Sequence, residues 1–135
     1  MLQPKKSKYR KHFRGVMRGN AGRGITLAFG EYGLKALTRG WVSARQIEAA
    51  RKVITHATKR TGKLWIRIFP DKSYTKKGAG VRMGSGKGDI EGYVAVVRPG
   101  RIIFELAGVE KGLSQEALRK AAQKLSLRSK IITKI

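Results

Sequence analysis

Between Met1 and Gly30 the chain carries eight cationic side chains (Lys5, Lys6, Lys8, Arg10, Lys11, Arg14, Arg18 and Arg23) and no acidic one. Over all 135 residues, 31 Lys and Arg stand against eight Asp and Glu, a formal charge of +23. Like charges at that density repel, so a fold must hold them outward and keep a polyanion beside them. Nucleic acid is the abundant candidate. The same stretch holds glycines at 15, 19, 22 and 24 and almost no periodic apolar pattern. It reads as an extended basic arm over residues 1–24, followed by a single domain over 25–135.

The remaining composition narrows the class. A hydrophobic content of 41% is enough for a real core, unlike that of a charge-only tail. The absence of cysteine removes disulfides, thiolate metal sites and a cysteine nucleophile. No apolar run approaches the length of a membrane span, and the region after Met1 has no apolar signal core. A transit peptide is also poor in acid, but those are rich in Arg and Ser, whereas this stretch favours Lys and Gly. The expectation is a soluble intracellular protein.

Periodicity predicts the elements. Ile25, Leu27 and Phe29 alternate with Thr26 and Ala28, a short strand closed by Gly30, with Tyr32–Leu37 as its partner. Ser43 and Gln46 have capping-box spacing. The helix they open buries Ile47, Ala50, Val53, Ile54 and Ala57, with Gly62 placed for a left-handed C-terminal cap. Leu64–Phe69 is a strand with Leu64, Ile66 and Ile68 on one face and Trp65, Arg67 and Phe69 on the other; Pro70 ends it. Residues 72–89 form a long Gly- and Lys-rich loop. Tyr93–Val97 and Ile102–Leu106 read as a hairpin around a type II turn at Pro99-Gly100. A second helix starts at Ser114, burying Ala117, Ala121, Ala122 and Leu125, and a last strand covers Ile131–Ile135. The sum is an α+β domain with a mostly antiparallel sheet and two helices.

Two segments carry chemistry. In the arm, Tyr9, His12 and Phe13 interleave with the cations and offer stacking surfaces for bases, while glycine lets the backbone approach phosphates. The alternative is a solvated tail without a fixed partner. The loop brings Lys76, Lys77, Arg82, Met83, Gly84, Ser85, Gly86 and Lys87 together. Its glycines do not make a phosphate-binding P-loop, because Lys87 is followed by Gly88 rather than Ser or Thr. No Gly-x-Gly-x-x-Gly opens a helix either, so the loop fits insertion between RNA segments better than nucleotide binding. The bland alternative is a mobile surface loop.

Catalysis finds little support. Glu48 is accounted for by Lys52 one helical turn away, and Asp89 with Glu91 suits a basic neighbour or a hydrated Mg²⁺. Neither His12 nor His56 has a second ligand at metal spacing. No resident cofactor or metal is expected, with Mg²⁺ present only as part of an RNA environment.

Four runs resemble one family: Met1-Leu2-Gln3-Pro4-Lys5-Lys6-Ser7-Lys8-Tyr9-Arg10-Lys11, Ala44–Lys52, Trp65-Ile66-Arg67-Ile68-Phe69-Pro70-Asp71-Lys72, and Arg82-Met83-Gly84-Ser85-Gly86-Lys87-Gly88. Together, in order, they are similar to bacterial-type large-subunit ribosomal protein L-sixteen over essentially the whole chain. That resemblance implies a non-enzymatic component of the large subunit that binds its ribosomal RNA near the peptidyl transferase centre. It further implies contact with transfer RNA in the A site, the P site being the next candidate, and a part in late assembly. Neighbouring ribosomal proteins are implied partners, self-association is not, and the compartment is the cytoplasm or, alternatively, a plastid or mitochondrion. Carried onto this chain, the arm and the loop around Arg82 enter RNA, and Arg45, Arg51 and Lys52 on the first helix face it. The chain departs from the family at Gly78 and Gly80, where Pro and Glu are usual, and at Gly92-Tyr93 in place of Tyr-Trp. A free-standing RNA-binding or chaperone module is the rival reading, ahead of an RNA-acting enzyme or a membrane-surface protein.

Overall fold

The α+β expectation is met by two antiparallel sheets rather than one. The computed structural model of the protein describes residues 1–76 and 86–134. Its elements run β1 (Tyr32–Ala36), β2 (Gly40–Ser43), α1 (Ala44–Ala57), β3 (Lys63–Ile66), β4 (Lys72–Lys76), β5 (Asp89–Val97), β6 (Ile102–Ala107), α2 (Lys111–Ala122) and β7 (Ser129–Thr133). One sheet has the order β3-β6-β1-β7 and the other β2-β5-β4. The two helices pack on each other, α1 against β2 and β5 and α2 against β1 and β7, so the helix pair joins the sheets. Leu34, Val42, Ile47, Ile54, Phe104, Leu106 and Leu118 lie in one buried cluster between them.

Helix α1 forms where its capping box requires. The Gln46 N–H donates to Ser43 Oγ at 3.1 Å, and the Ser43 N–H donates to Gln46 Oε1 at 2.9 Å. These bonds satisfy orphan donors of the first turn, and Ile47, Ala50 and Ile54 go to the core. Replacing Ser43 by Ala is expected to lower unfolding free energy by about 1 kcal/mol. Urea unfolding measures this, and an unchanged midpoint would contradict a structural role for the cap.

Several predicted elements are corrected. Residues 25–29 form no strand, and β1 pairs with β6 and β7 instead. The cause is a strap geometry: the Ile102 N–H donates to the Gly24 carbonyl at 2.6 Å, and the Glu31 N–H donates to the Leu106 carbonyl at 3.0 Å. Between those ties only Leu27 turns inward, over Gly33, where a Cβ would stand 2.4 Å from Leu27 Cδ2. Helix α1 ends before Gly62, because Thr58 Oγ donates to the Ile54 carbonyl at 2.9 Å and Lys59 and Arg60 take φ of 54° and 62°. Strand β3 stops at Ile66, yet the Arg67 N–H still donates to the Ile103 carbonyl at 2.9 Å, so the predicted facing persists past its end. Helix α2 begins at Lys111, and Ser114 lies buried inside its first turn with Oγ donating to the Val109 carbonyl. The last strand runs Ser129–Thr133, starting before the expected Ile131, and Ile135 lies outside the described residues.

Two corrections bear on the site. The segment starting at Lys72 is a strand, since β4 pairs with β5 from Lys72↔Val94 to Lys76↔Asp89. Its Lys-Ser-Tyr-Thr-Lys sequence hides this, for the inward Ser73 is polar and only 2% exposed. Strands β5 and β6 do not form a hairpin but belong to different sheets. The turn between them exists, with the Arg101 N–H on the Arg98 carbonyl and Gly100 at φ 97°. Its Gly100 N–H donates to the Ala36 carbonyl, so it is captured by the end of β1 and the chain changes sheet. Gly92 also finds its reason here. Tyr74 lies opposite it with its hydroxyl and ring atoms 3.0–3.3 Å from where a Cβ would be, so the aromatic cover comes from β4.

Candidate nucleic-acid interface

Residues 1–24 contain no helix or strand, and their main chain is held by cationic and hydroxyl side chains of the domain. Ser73 Oγ donates to the Arg10 carbonyl at 2.7 Å, Lys87 Nζ to that of His12, and Lys72 Nζ to that of Arg14. Arg39 reaches the Met17 carbonyl at 2.8 Å, Arg98 the Arg18 carbonyl at 3.2 Å and Arg101 the Arg23 carbonyl at 3.1 Å. The Ala21 N–H adds a bond to the Pro99 carbonyl at 2.9 Å. Because backbone carbonyls make these ties, most of the arm's cationic side chains are left outward, while Leu2 packs against the core. Lys5, Lys6, Lys8, Arg10, Arg14, Arg18 and Arg23 are exposed, as are Tyr9 and Phe13. Lys11 and His12 are half-buried; Lys11 Nζ donates to the Lys87 carbonyl and His12 Nε2 pairs with the Tyr9 carbonyl.

Cations and aromatic rings alternate through this region. Lys87 lies 5.5 Å from the Phe13 ring centre, Lys8 lies 5.6 Å from that of Tyr9, and both Arg14 and Lys72 lie over Trp41. Each contact of this kind contributes on the order of 0.5–1 kcal/mol at an exposed site. They also keep cations close together without carboxylate partners. Among the described residues the ion pairs are Glu48–Arg51, Arg67–Glu105 and Glu116–Lys120, and none involves the arm or β4. Burial pushes the Lys72 ammonium below its ordinary pKa, with Arg14 and then Lys87 pushing the same way. A phosphate in this region would relieve that repulsion.

The helix residues divide. Arg45 and Lys52 are exposed on α1. Arg51 is bound to Glu48 one turn earlier, which corrects the expected Glu48–Lys52 pair. The hydrogen bond from Arg51 lowers the Glu48 carboxyl below its usual range. Lys76, Gly86 and Lys87 are exposed where β4 and β5 diverge. Lys77, Arg82, Met83, Gly84 and Ser85 lie outside the described residues. Asp89 stands opposite Lys76 across the β4–β5 ladder.

Sequence reasoning missed the residues that hold the arm: Lys72, Arg39, Arg98 and Arg101. Arg98 and Arg101 flank the Pro99-Gly100 turn, and cations bracketing a rigid turn were the available signal. It also missed Glu105, whose carboxylate is fully buried. Its Oε1 accepts three successive backbone N–H groups, from Ala28 at 3.0 Å, Phe29 at 2.8 Å and Gly30 at 2.9 Å, while Oε2 accepts from Arg67. Phe29, clipped in this way, stacks on Trp65 with ring centres 5.7 Å apart and lies 5.0 Å from the Arg67 guanidinium. Burial alone raises the Glu105 carboxyl, but the Gly30 and Phe29 N–H groups, Arg67 and the Ala28 N–H outweigh it, and the net direction is down.

The fold and its surface define a basic α+β protein whose cations are turned outward over one arm, one strand end and one helix. The family model described as ribosomal protein L16p/L10e matches residues 4–132. The chain is 58% identical to large ribosomal subunit protein uL16 of Thermosipho africanus over 132 residues, 98% of this chain and 93% of that one. It is 57% identical to the uL16 of Pseudothermotoga lettingae over 134 residues, covering 99% and 94% of the two chains. For Lactobacillus johnsonii uL16 the identity is 58% over 134 residues, covering 99% and 92%. The chain belongs to the ribosomal protein L16p/L10e family.

Proposed function

We propose that the protein is a structural constituent of the large ribosomal subunit, bound to ribosomes in the cytoplasm. In this reading its arm, its β4–β5 loop and the exposed side of α1 neutralise and position ribosomal RNA near the peptidyl transferase centre. The loop around Arg82 reaches toward transfer RNA in the A site, with the P site adjacent, and the bound protein supports late assembly. The work is binding rather than catalysis, neighbours are RNA and other ribosomal proteins, and Mg²⁺ enters with the RNA. One observation carries the reading: a chain with family membership over residues 4–132 turns the arm's Lys and Arg outward while fastening its backbone.

The loop is tested by Arg82→Ala in cells that carry no other copy. Immature large subunits are expected to accumulate, or A-site function to fall, while the purified variant melts like the parent. Normal growth with normal peptidyl transfer would remove the loop from this account.

A further inference from the structure

Between the arm and the strands that hold it lies an open groove of about 790 Å³. Its wall includes the cations Arg14, Arg23, Lys72, Arg98 and Arg101, and among the described residues Asp71 is the one carboxylate that lines it. These cations come from three separate parts of the chain (the arm, β4 and the Pro99-Gly100 turn), and the arm carries two of them. Arg98 uses one N–H on the Arg18 carbonyl, and Arg101 uses its two terminal nitrogens on the Arg23 and Arg67 carbonyls. A guanidinium has five N–H donors, so each keeps donors for a further acceptor. Carbonyls are weak partners for such groups beside a phosphate oxygen, whose bonds to cations are charge-assisted.

We propose that this groove is a binding site for a phosphate group, and that occupying it fastens the arm to the domain. The phosphate draws Arg14 and Arg23 of the arm and Lys72, Arg98 and Arg101 of the domain onto one anion. Repulsion between the two sets then becomes shared attraction. Lys72, Arg98 and Arg101 thereby gain a ligand-binding role that the arm and loop motifs did not assign them. The site rests on the RNA-binding reading only for the source of the phosphate, which is either an RNA backbone or a free inorganic phosphate. Trp41, lying beneath Arg14 and Lys72, reports on the site.

The test uses the full chain carrying Trp65→Phe, so that Trp41 is the remaining indole. Titration with pyrophosphate at low, constant ionic strength is expected to give a saturable change in Trp41 fluorescence. Trypsin cleavage after Arg14 and Arg18 is expected to slow in parallel. Lys72→Gln and Arg98→Gln are each expected to weaken binding by about tenfold or more, as loss of a charge-assisted contact implies. Lys124→Gln, in the turn just after α2, serves as the control and should leave it unchanged. A change that is linear in pyrophosphate, or equal in all three variants, reflects general screening and overturns the site. A short single-stranded RNA in place of pyrophosphate separates the sources: competition with pyrophosphate assigns the groove to RNA, and saturation by pyrophosphate alone assigns it to free phosphate. If the variants keep full affinity for ribosomal RNA yet the parent shows no saturable response, the groove fails while the RNA-binding reading stands.

Discussion

Glu105→Ala is expected to destabilise the protein by about 3–5 kcal/mol, the range for removing one partner of a buried, hydrogen-bonded charge pair. With total stabilities of about 5–15 kcal/mol for natural domains, this is a large fraction. The loss has a definite anatomy. Three backbone N–H groups of residues 28–30 and the Arg67 guanidinium share this carboxylate, so its removal leaves four donors without their acceptor. The strap over β6 then loses its central tie, and Phe29 loses the position in which it stacks on Trp65. Chemical denaturation measures the change, and a loss below about 0.5 kcal/mol, typical of an ordinary surface site, would contradict the clip.

The same residue sets an acid limit. Its folded-state pKa lies below the ordinary carboxylate value, so the stabilisation is fully present above that ordinary value. It is lost as pH falls through the lowered pKa, because protonation then favours the unfolded chain. Glu105→Gln is expected to flatten the decline of stability below the ordinary carboxylate range. Glu48, lowered by Arg51, retains part of the slope.

The second large effect concerns RNA. If about six to ten cations neutralise phosphates, affinity for a large-subunit RNA fragment falls roughly 10³- to 10⁵-fold between 50 and 200 mM salt. Deleting residues 1–14 removes Lys5, Lys6, Lys8, Arg10, Lys11 and Arg14, and is expected to reduce the slope of that dependence. The ties at Ala21 and Gly24 remain in the truncated chain, so its melting temperature should move far less than that of Glu105→Ala. An unchanged salt slope would take the arm out of the RNA interface.

What was legible in the sequence followed from local rules. The Ser43–Gln46 capping box, the alternation of Trp65, Arg67 and Phe69 against Leu64, Ile66 and Ile68, and the Pro99-Gly100 turn are each written within a few residues. What escaped depends on partners far along the chain. Ile25, Leu27 and Phe29 alternate like a strand, but Glu105, more than 75 residues on, gathers the neighbouring N–H groups and curls the segment. Strand β4 looks like loop because its inward residue, Ser73, is a serine that donates to the arm. The split of β5 and β6 between two sheets follows from capture of their turn by β1, which no local pattern encodes. Candidate binding residues were legible as charge, since cations need only reach the surface. The cations that position the arm were not, because their acceptors are backbone carbonyls and leave no compositional mark.

The most direct measurement is sedimentation of a cell lysate at physiological salt, with detection of this chain across the gradient. Co-migration with large subunits and whole ribosomes, released only at high salt, is the expected result. A slow, free peak with ribosomal fractions empty of the chain would contradict it and favour a free-standing RNA-binding module.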